Sequence, residues 1–175
     1  STLEPSQPGR RRLLCCAAEK PATGERFHRV LQYDGLSDAH LRHLGLSRSE
    51  LDAGVSAEQF QRDWSRFLGD SANLASWNQS TLDLLCHAAG AARAGVALKA
   101  AYHNLKRHRG SLETVVQLEG LDGADALVHD GRAGARLNNA VQLAQFLHRH
   151  GSGALESGGA EAPARSARSG DPCAQ

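Results

Sequence analysis

ANLASWNQSTLDLL, residues 72–85, is the stretch on which the reading of the fold turns. Its first half, 72–77, is a short apolar run of strand character, and Asn78 follows with a side-chain oxygen suited to capping a helix. A strand that enters a helix without an intervening loop places the first helical turn at the carboxyl end of a sheet. Open α/β folds usually take their ligands there. Trp77 and Asn78 stand at that join and are candidate contact residues.

Upstream, residues 56–68 form the clearest amphipathic helix, because Phe60, Trp64, Phe67 and Leu68 fall on one face at i, i+4, i+7 and i+8. Ser56 and Gln59 make a capping box at its start, and Gly69 and Asp70 end it. The aromatic stripe is read as core. Residues 13–18, LLCCAA, are small or apolar on both faces and predict a buried central strand. Residues 25–32, ERFHRVLQ, alternate closely enough to be its hairpin partner, with His28 a surface residue on the polar face. Between 36 and 51 a short helix and a second turn are expected, the turn opened by a Ser47–Glu50 capping box. His40 and His43 lie one helical turn apart there, a spacing that can share a metal, but no third ligand follows and both are read as solvated.

Downstream, residues 96–105 repeat the strand-into-helix pattern, which gives the α/β rhythm. Leu112, Val115, Val116 and Leu118 are expected to pack the next helix inward, and Leu137, Ala140, Val141, Ala144 and Leu147 recur at helical spacing in a long closing helix. Lys106, Arg107, His108 and Arg109 form the densest basic cluster, with Tyr102 beside it. Positive side chains near an aromatic ring suit a nucleic-acid backbone, and a solvated loop accounts for the same residues.

Twenty Lys and Arg against nineteen Asp and Glu give a formal charge of +1, so no global field draws the chain to nucleic acid or membrane and any basic surface is local. The 41% hydrophobic content over 175 residues is enough for one core, so one domain is expected. Of the four cysteines, Cys15 and Cys16 are adjacent, Cys86 sits in a helical pattern and Cys173 is near the end. None has C-x-x-C spacing, so neither a zinc site nor a disulfide framework is indicated, and a reducing compartment, the cytoplasm, is expected. No leader and no apolar run long enough to span a bilayer stands out, so no membrane partner is expected. The chain has no methionine, not even at position one, and is expected to be a piece of a longer product.

Residues 74–85, LASWNQSTLDLL, resemble the second motif of the DnaQ-like (DEDD) 3′–5′ exonucleases, V-A-H-N-A-x-F-D-x-x-F-L. Asn78 matches, Trp77 replaces the family's His, Leu82 takes its Asp position and Asp83 comes one residue later. The first strand, where the family carries D-x-E before a T-T-G-like turn, has Cys16 or Ala17 for the Asp and Glu19 as the nearby acid, followed by Pro21-Ala22-Thr23-Gly24. Glu19 reads either as half of that motif or as a strand-end acid facing water. Residues 36–51 resemble the segment P-x-x-x-x-x-T-G-I-T-x-x-x-L, and Gly110, Ser111 and Leu112 match a G-S-L helix start. Lys99 stands where an exonuclease often carries an Asp. The third motif, H-x-A-x-x-D-A, aligns with residues 129–135. His129 occupies the general-base position and Gly134 that of the last aspartate.

Over residues 13–149 the resemblance implies an α/β, ribonuclease H-like (exonuclease-type) fold, a mixed sheet flanked by helices. The polar, proline-containing start reads as a linker or the end of an upstream domain at 1–10, the resemblance implies an exonuclease-like domain at 11–150, and the Gly-, Ser-, Ala- and Arg-rich end reads as a disordered tail at 151–175. The opening STLE is similar to the close of DTW-type tRNA aminocarboxypropyltransferase domains, which makes such a domain the expected upstream neighbour.

Two-metal phosphodiester cleavage needs several carboxylates converging on paired cations, and magnesium binds weakly through neutral ligands. The four aligned positions hold Cys16 or Ala17, Ala18 or Glu19, Leu82 and Gly134. A one-residue slip on a helix turns a side chain by about a hundred degrees, so Asp83 does not replace Leu82 in place. The resemblance therefore implies a catalytically degenerate exonuclease-like domain, an accessory module holding single-stranded RNA or DNA through Trp77, Asn78, Lys106, Arg107, Arg109 and Arg132, without a metal or other cofactor. The alternative is an active metal-dependent 3′–5′ exonuclease in which Glu19, Asp83, Asp130 and His129 form a rearranged site with magnesium or manganese.

Overall fold

A computed structural model describes residues 12–69, 73–121 and 131–156. The chain opens with an antiparallel hairpin of β1, Cys15–Lys20, and β2, Glu25–Val30, in which Ala17 pairs with His28 and Glu19 with Arg26. Thr23 and Gly24 donate back to the Lys20 carbonyl, and Gly24 takes a φ of 71°, which closes the turn without a Cβ penalty.

Two short helices follow, α1 at Asp38–Leu44 and α2 at Arg48–Asp52. Ser37 caps the first, and the Ser47–Glu50 capping box closes reciprocally on the second. Helix α3, Ala57–Leu68, begins at Ser56. Only half of the expected box forms there: Ser56 accepts from the Gln59 amide, while the Gln59 side chain turns away and donates to Asp63.

Strand β3, Leu74–Ser76, runs into α4, Gln79–Ala89, and β4, Gly95–Ala97, runs into α5, Leu98–Lys106. The two strands pair in parallel, Ala75 against Val96, so both helices start at the same end of the sheet. Helix α6, Leu112–Leu118, and the long α7, Arg132–Glu156, complete the described chain. Helix α7 runs past position 150, so the stretch expected to lose order from 151 is helical as far as Glu156.

The strand of residues 13–18, read as central, has one neighbour among the described residues. Among the described residues β1 pairs with β2 alone, and the strands make two two-stranded sheets rather than one mixed sheet. The ladders are too short to carry the core, and helices supply most of it. In β1 only Cys16 is buried, because one side of the hairpin packs on α3 while the rest of the strand is half-covered.

That packing is aromatic. Phe27 meets Trp64 edge-on with centroids 5.2 Å apart and lies 5.1 Å from Phe67, while Phe60 and Trp64 stack at 6.1 Å. Each such buried side chain contributes about 1.5–3 kcal/mol from removal of apolar surface alone. A second cluster joins Trp77, Leu98, Tyr102, Leu112, Val115 and Val116 to Leu143 and Phe146 of α7. The buried seam of α7 is thus centred on Leu143 and Phe146, with Ala140, Ala144 and Leu147 beside it, and Leu137 and Val141 are only half-buried. Leu118, expected inside, is 60% exposed. Val30, Leu41, Leu46 and Leu51 form a third cluster under α1 and α2.

Candidate nucleic-acid interface

The parallel pair β3–β4 delivers two helix starts side by side. Asn78 Oδ1 accepts from the Thr81 amide at 2.9 Å, the Thr81 hydroxyl at 2.8 Å and the Ser80 hydroxyl at 2.9 Å, so the residue's oxygen is engaged in capping α4. The Lys99 amide donates to the Trp77 carbonyl at 2.9 Å and ties the two joints together. Trp77 is buried in the second core cluster, with the Lys99 ammonium 6.0 Å from its ring centroid. A buried ring has no free face to offer a base.

Alternation in β1 separates the residues aligned with the first motif. Cys16 and Ala18 lie in the aromatic cluster with Phe27, so Ala17 and Glu19 point to the other side of the hairpin, and α7 packs against β1. Glu19 Oε2 accepts from Arg26 Nε at 3.0 Å. Nearby, Cys15 Sγ lies 3.2 Å from His28 Nε2, which makes His28 a half-buried partner of a thiol rather than a bare surface residue. Burial, and secondarily the charge of Glu50, pushes the Cys15 thiol up to about 11, and burial pushes Cys16 up to about 12.

The other acids and the aligned apolar positions separate in the same way. Leu82 is 4% exposed and belongs to the core, while Asp83 is exposed and accepts from Gln79 Nε2 at 2.9 Å. Gly134 is buried in the first turns of α7. His129 and Asp130 lie outside the described residues. Among the described residues no group of three or more His, Cys, Asp or Glu is arranged to hold a metal ion.

The basic cluster forms the end of α5. Lys106 pairs with Glu119 at 3.4 Å and lies over the Phe146 ring, and Glu119 also accepts from Tyr102 Oη at 2.7 Å. Burial first, then the Glu119 hydrogen bond, pushes the Tyr102 phenol up to about 12. Arg107 caps α5 with a φ of 56°, the sole non-glycine residue with positive φ among the described residues. A side chain in that conformation costs roughly 1–2 kcal/mol relative to glycine. Arg109 is exposed beside it.

Arg132, the first residue of α7, is exposed and its Nη1 lies 2.7 Å from His43 Nε2 on α1. Arg132 and the cluster at 106–109 thus belong to separate elements. Sequence reasoning missed the His43–Arg132 contact and also Asp63, a buried carboxylate held by Arg29 at 2.8 Å and Gln59 at 2.7 Å. Asp63 directly precedes Trp64 on the buried stripe of α3, but its partner lies on β2, which no local pattern indicates.

A hairpin laid on a helix, next to parallel strands that each run into a helix, makes a mixed α/β fold among the described residues. The fold is similar to that of a 3′-exonuclease solved for its 3′-end specific recognition of a histone mRNA stem-loop (TM-score 0.56, 14% identity, covering 81% of this chain and 70% of that one). It is also similar to a full-length 3′-exonuclease (TM-score 0.55, 13% identity, covering 83% of this chain and 77% of that one). No protein-family model and no curated protein matches the sequence. No helix among the described residues is long and apolar enough to cross a membrane.

Proposed function

We propose that this chain is a catalytically degenerate 3′–5′ exonuclease-like domain of ribonuclease H-like descent that holds single-stranded RNA or DNA without cutting it. The observation that carries this reading is the state of the acids. Glu19 is paired with Arg26, Asp83 faces solvent while Leu82 fills the core, and Gly134 has no side chain to offer. Paired divalent cations need converging carboxylates, and such an arrangement supplies too little negative potential. An active site rebuilt on Glu19 and Asp83 would have to release the first from its guanidinium and rotate the second by about a hundred degrees around α4.

Strand binding rests on Lys106, Arg107 and Arg109 with Arg132, while Trp77 and Asn78 hold the strand-to-helix joint in shape. Arg107 supports this assignment, because an arginine stands at a backbone position where glycine is easiest. The structural neighbours support it as well, since one of them was solved recognising an RNA stem-loop. The free thiols of Cys15, half-buried, and Cys16, buried, suit a reducing compartment such as the cytoplasm.

Filter binding of labelled single strands tests the reading. About four phosphate contacts give a log–log salt slope near −3, so affinity falls roughly fifty-fold between about 50 and about 200 mM salt. Absence of affinity for any single strand at low salt contradicts it.

A further inference from the structure

His43 and Arg132 come from α1 and α7, are 89 positions apart in sequence and meet at 2.7 Å on an exposed surface. A guanidinium only donates, so His43 Nε2 is the acceptor in this contact. Arg132 forms no ion pair among the described residues. The acid Glu113 pairs with Arg136 at 3.3 Å, and a backbone hydrogen bond foremost, with the charges of Arg136 and Arg132 both helping, holds its carboxyl below the ordinary range. The backbones beneath are in direct contact: Gly45, which ends α1, has a φ of 70°, and a Cβ there would lie 2.9 Å from Gly131 Cα and 3.1 Å from Arg132 N. The two side chains are therefore held together by packed main chain.

A fork of guanidinium donors beside an imidazole, which can turn a ring N–H toward an acceptor, matches a tetrahedral oxyanion. We propose that His43 and Arg132 form a clamp for a phosphate group, with His43 exchanging its contact with Arg132 for one with the phosphate. The group is either free phosphate or a phosphate of a bound strand. The second source rests on the nucleic-acid reading above, and the first does not.

The test uses the full chain and inorganic phosphate, followed by NMR of the His43 ring, with filter binding of single-stranded RNA in parallel. A saturable shift of the His43 resonances, with phosphate affinity falling at least ten-fold in Arg132→Ala and in His43→Ala and unchanged in Arg62→Ala, an exposed arginine of α3, supports the clamp. Affinity in the alanine variants is read by calorimetry, and unchanged thermal midpoints show that both remain folded. If RNA affinity falls in the same two variants, the phosphate is that of a strand. If phosphate binds and RNA does not, the clamp stands and the nucleic-acid reading fails. If RNA binds equally to wild type and both variants, and phosphate leaves the His43 resonances unmoved, the clamp is overturned and the nucleic-acid reading stands.

Discussion

Glu19 Oε2 lies 3.0 Å from Arg26 Nε across the β1–β2 ladder, on the side of the hairpin away from the aromatic core. The carboxylate is thus neutralised by the chain's own cation. With Arg26 39% exposed, the pair is screened by water, and pairs of this kind contribute about 0–1 kcal/mol. Glu19→Gln is expected to lower stability by no more than about 1 kcal/mol in urea unfolding and to leave strand binding unchanged. A loss of several kcal/mol would mean that Glu19 has a structural role the ion pair does not explain.

Gly45 sets the approach of α1 to α7. Gly45→Ala adds a Cβ 2.9 Å from Gly131 Cα at a positive φ, whereas Gly35→Ala, at a φ of 91°, meets nothing within 4 Å. The first substitution is expected to cost about 1–3 kcal/mol more than the second. Equal costs in parallel urea titrations would show that the close approach is not a constraint.

Asp63 gives the fold an acid-side dependence. The Arg29 hydrogen bond is the largest cause, followed on the lowering side by Gln59 and the charges of Arg29 and Arg66, and together they hold its carboxyl below the ordinary range. A folded-state value below the unfolded one makes this contribution complete above about pH 4 and lost as pH falls through the folded value. The stability gap between wild type and Asp63→Asn should therefore narrow below about pH 4. A gap that stays constant from neutral pH to pH 3 contradicts the pairing.

The thiols give the opposite dependence. Cys15 and Cys16 are raised to about 11 and 12, so the unfolded chain loses these protons first and stability falls as pH rises above about 8.5–9. At pH 8 the native chain should be alkylated at these two positions at least roughly a hundred-fold more slowly than the denatured chain. Peptide mapping after iodoacetamide treatment reads this directly, and comparable labelling of native and denatured protein would contradict the burial.

Local chemistry was the readable part of the sequence. Asn78, Ser47 and Ser111 cap the helices their positions announce, because a cap involves residues only three apart. The stripe Phe60, Trp64, Phe67 and Leu68 is buried as its spacing requires. Long-range choices were not readable. Leu143 and Phe146 rather than Leu137 and Val141 face the core, because the rotation of α7 depends on its contacts with α5 and α6. Trp77 turned inward because Tyr102 and Leu98 surround it, and a residue at a strand end reads equally well as a surface contact. In the candidate site, the basic cluster and Arg132 are visible as residues, but the contact of Arg132 with His43 depends on a meeting of α1 and α7 that no periodicity encodes.

The central claim is that the fold retains a strand and has lost the means to hydrolyse it. The direct measurement incubates 5′-labelled single-stranded RNA with the protein and magnesium or manganese, then reads filter retention and strand length from the same samples. RNA retained on the filter and still full length is the expected result. Metal-dependent shortening from the 3′ end that disappears in Glu19→Gln or Asp83→Asn would contradict the account.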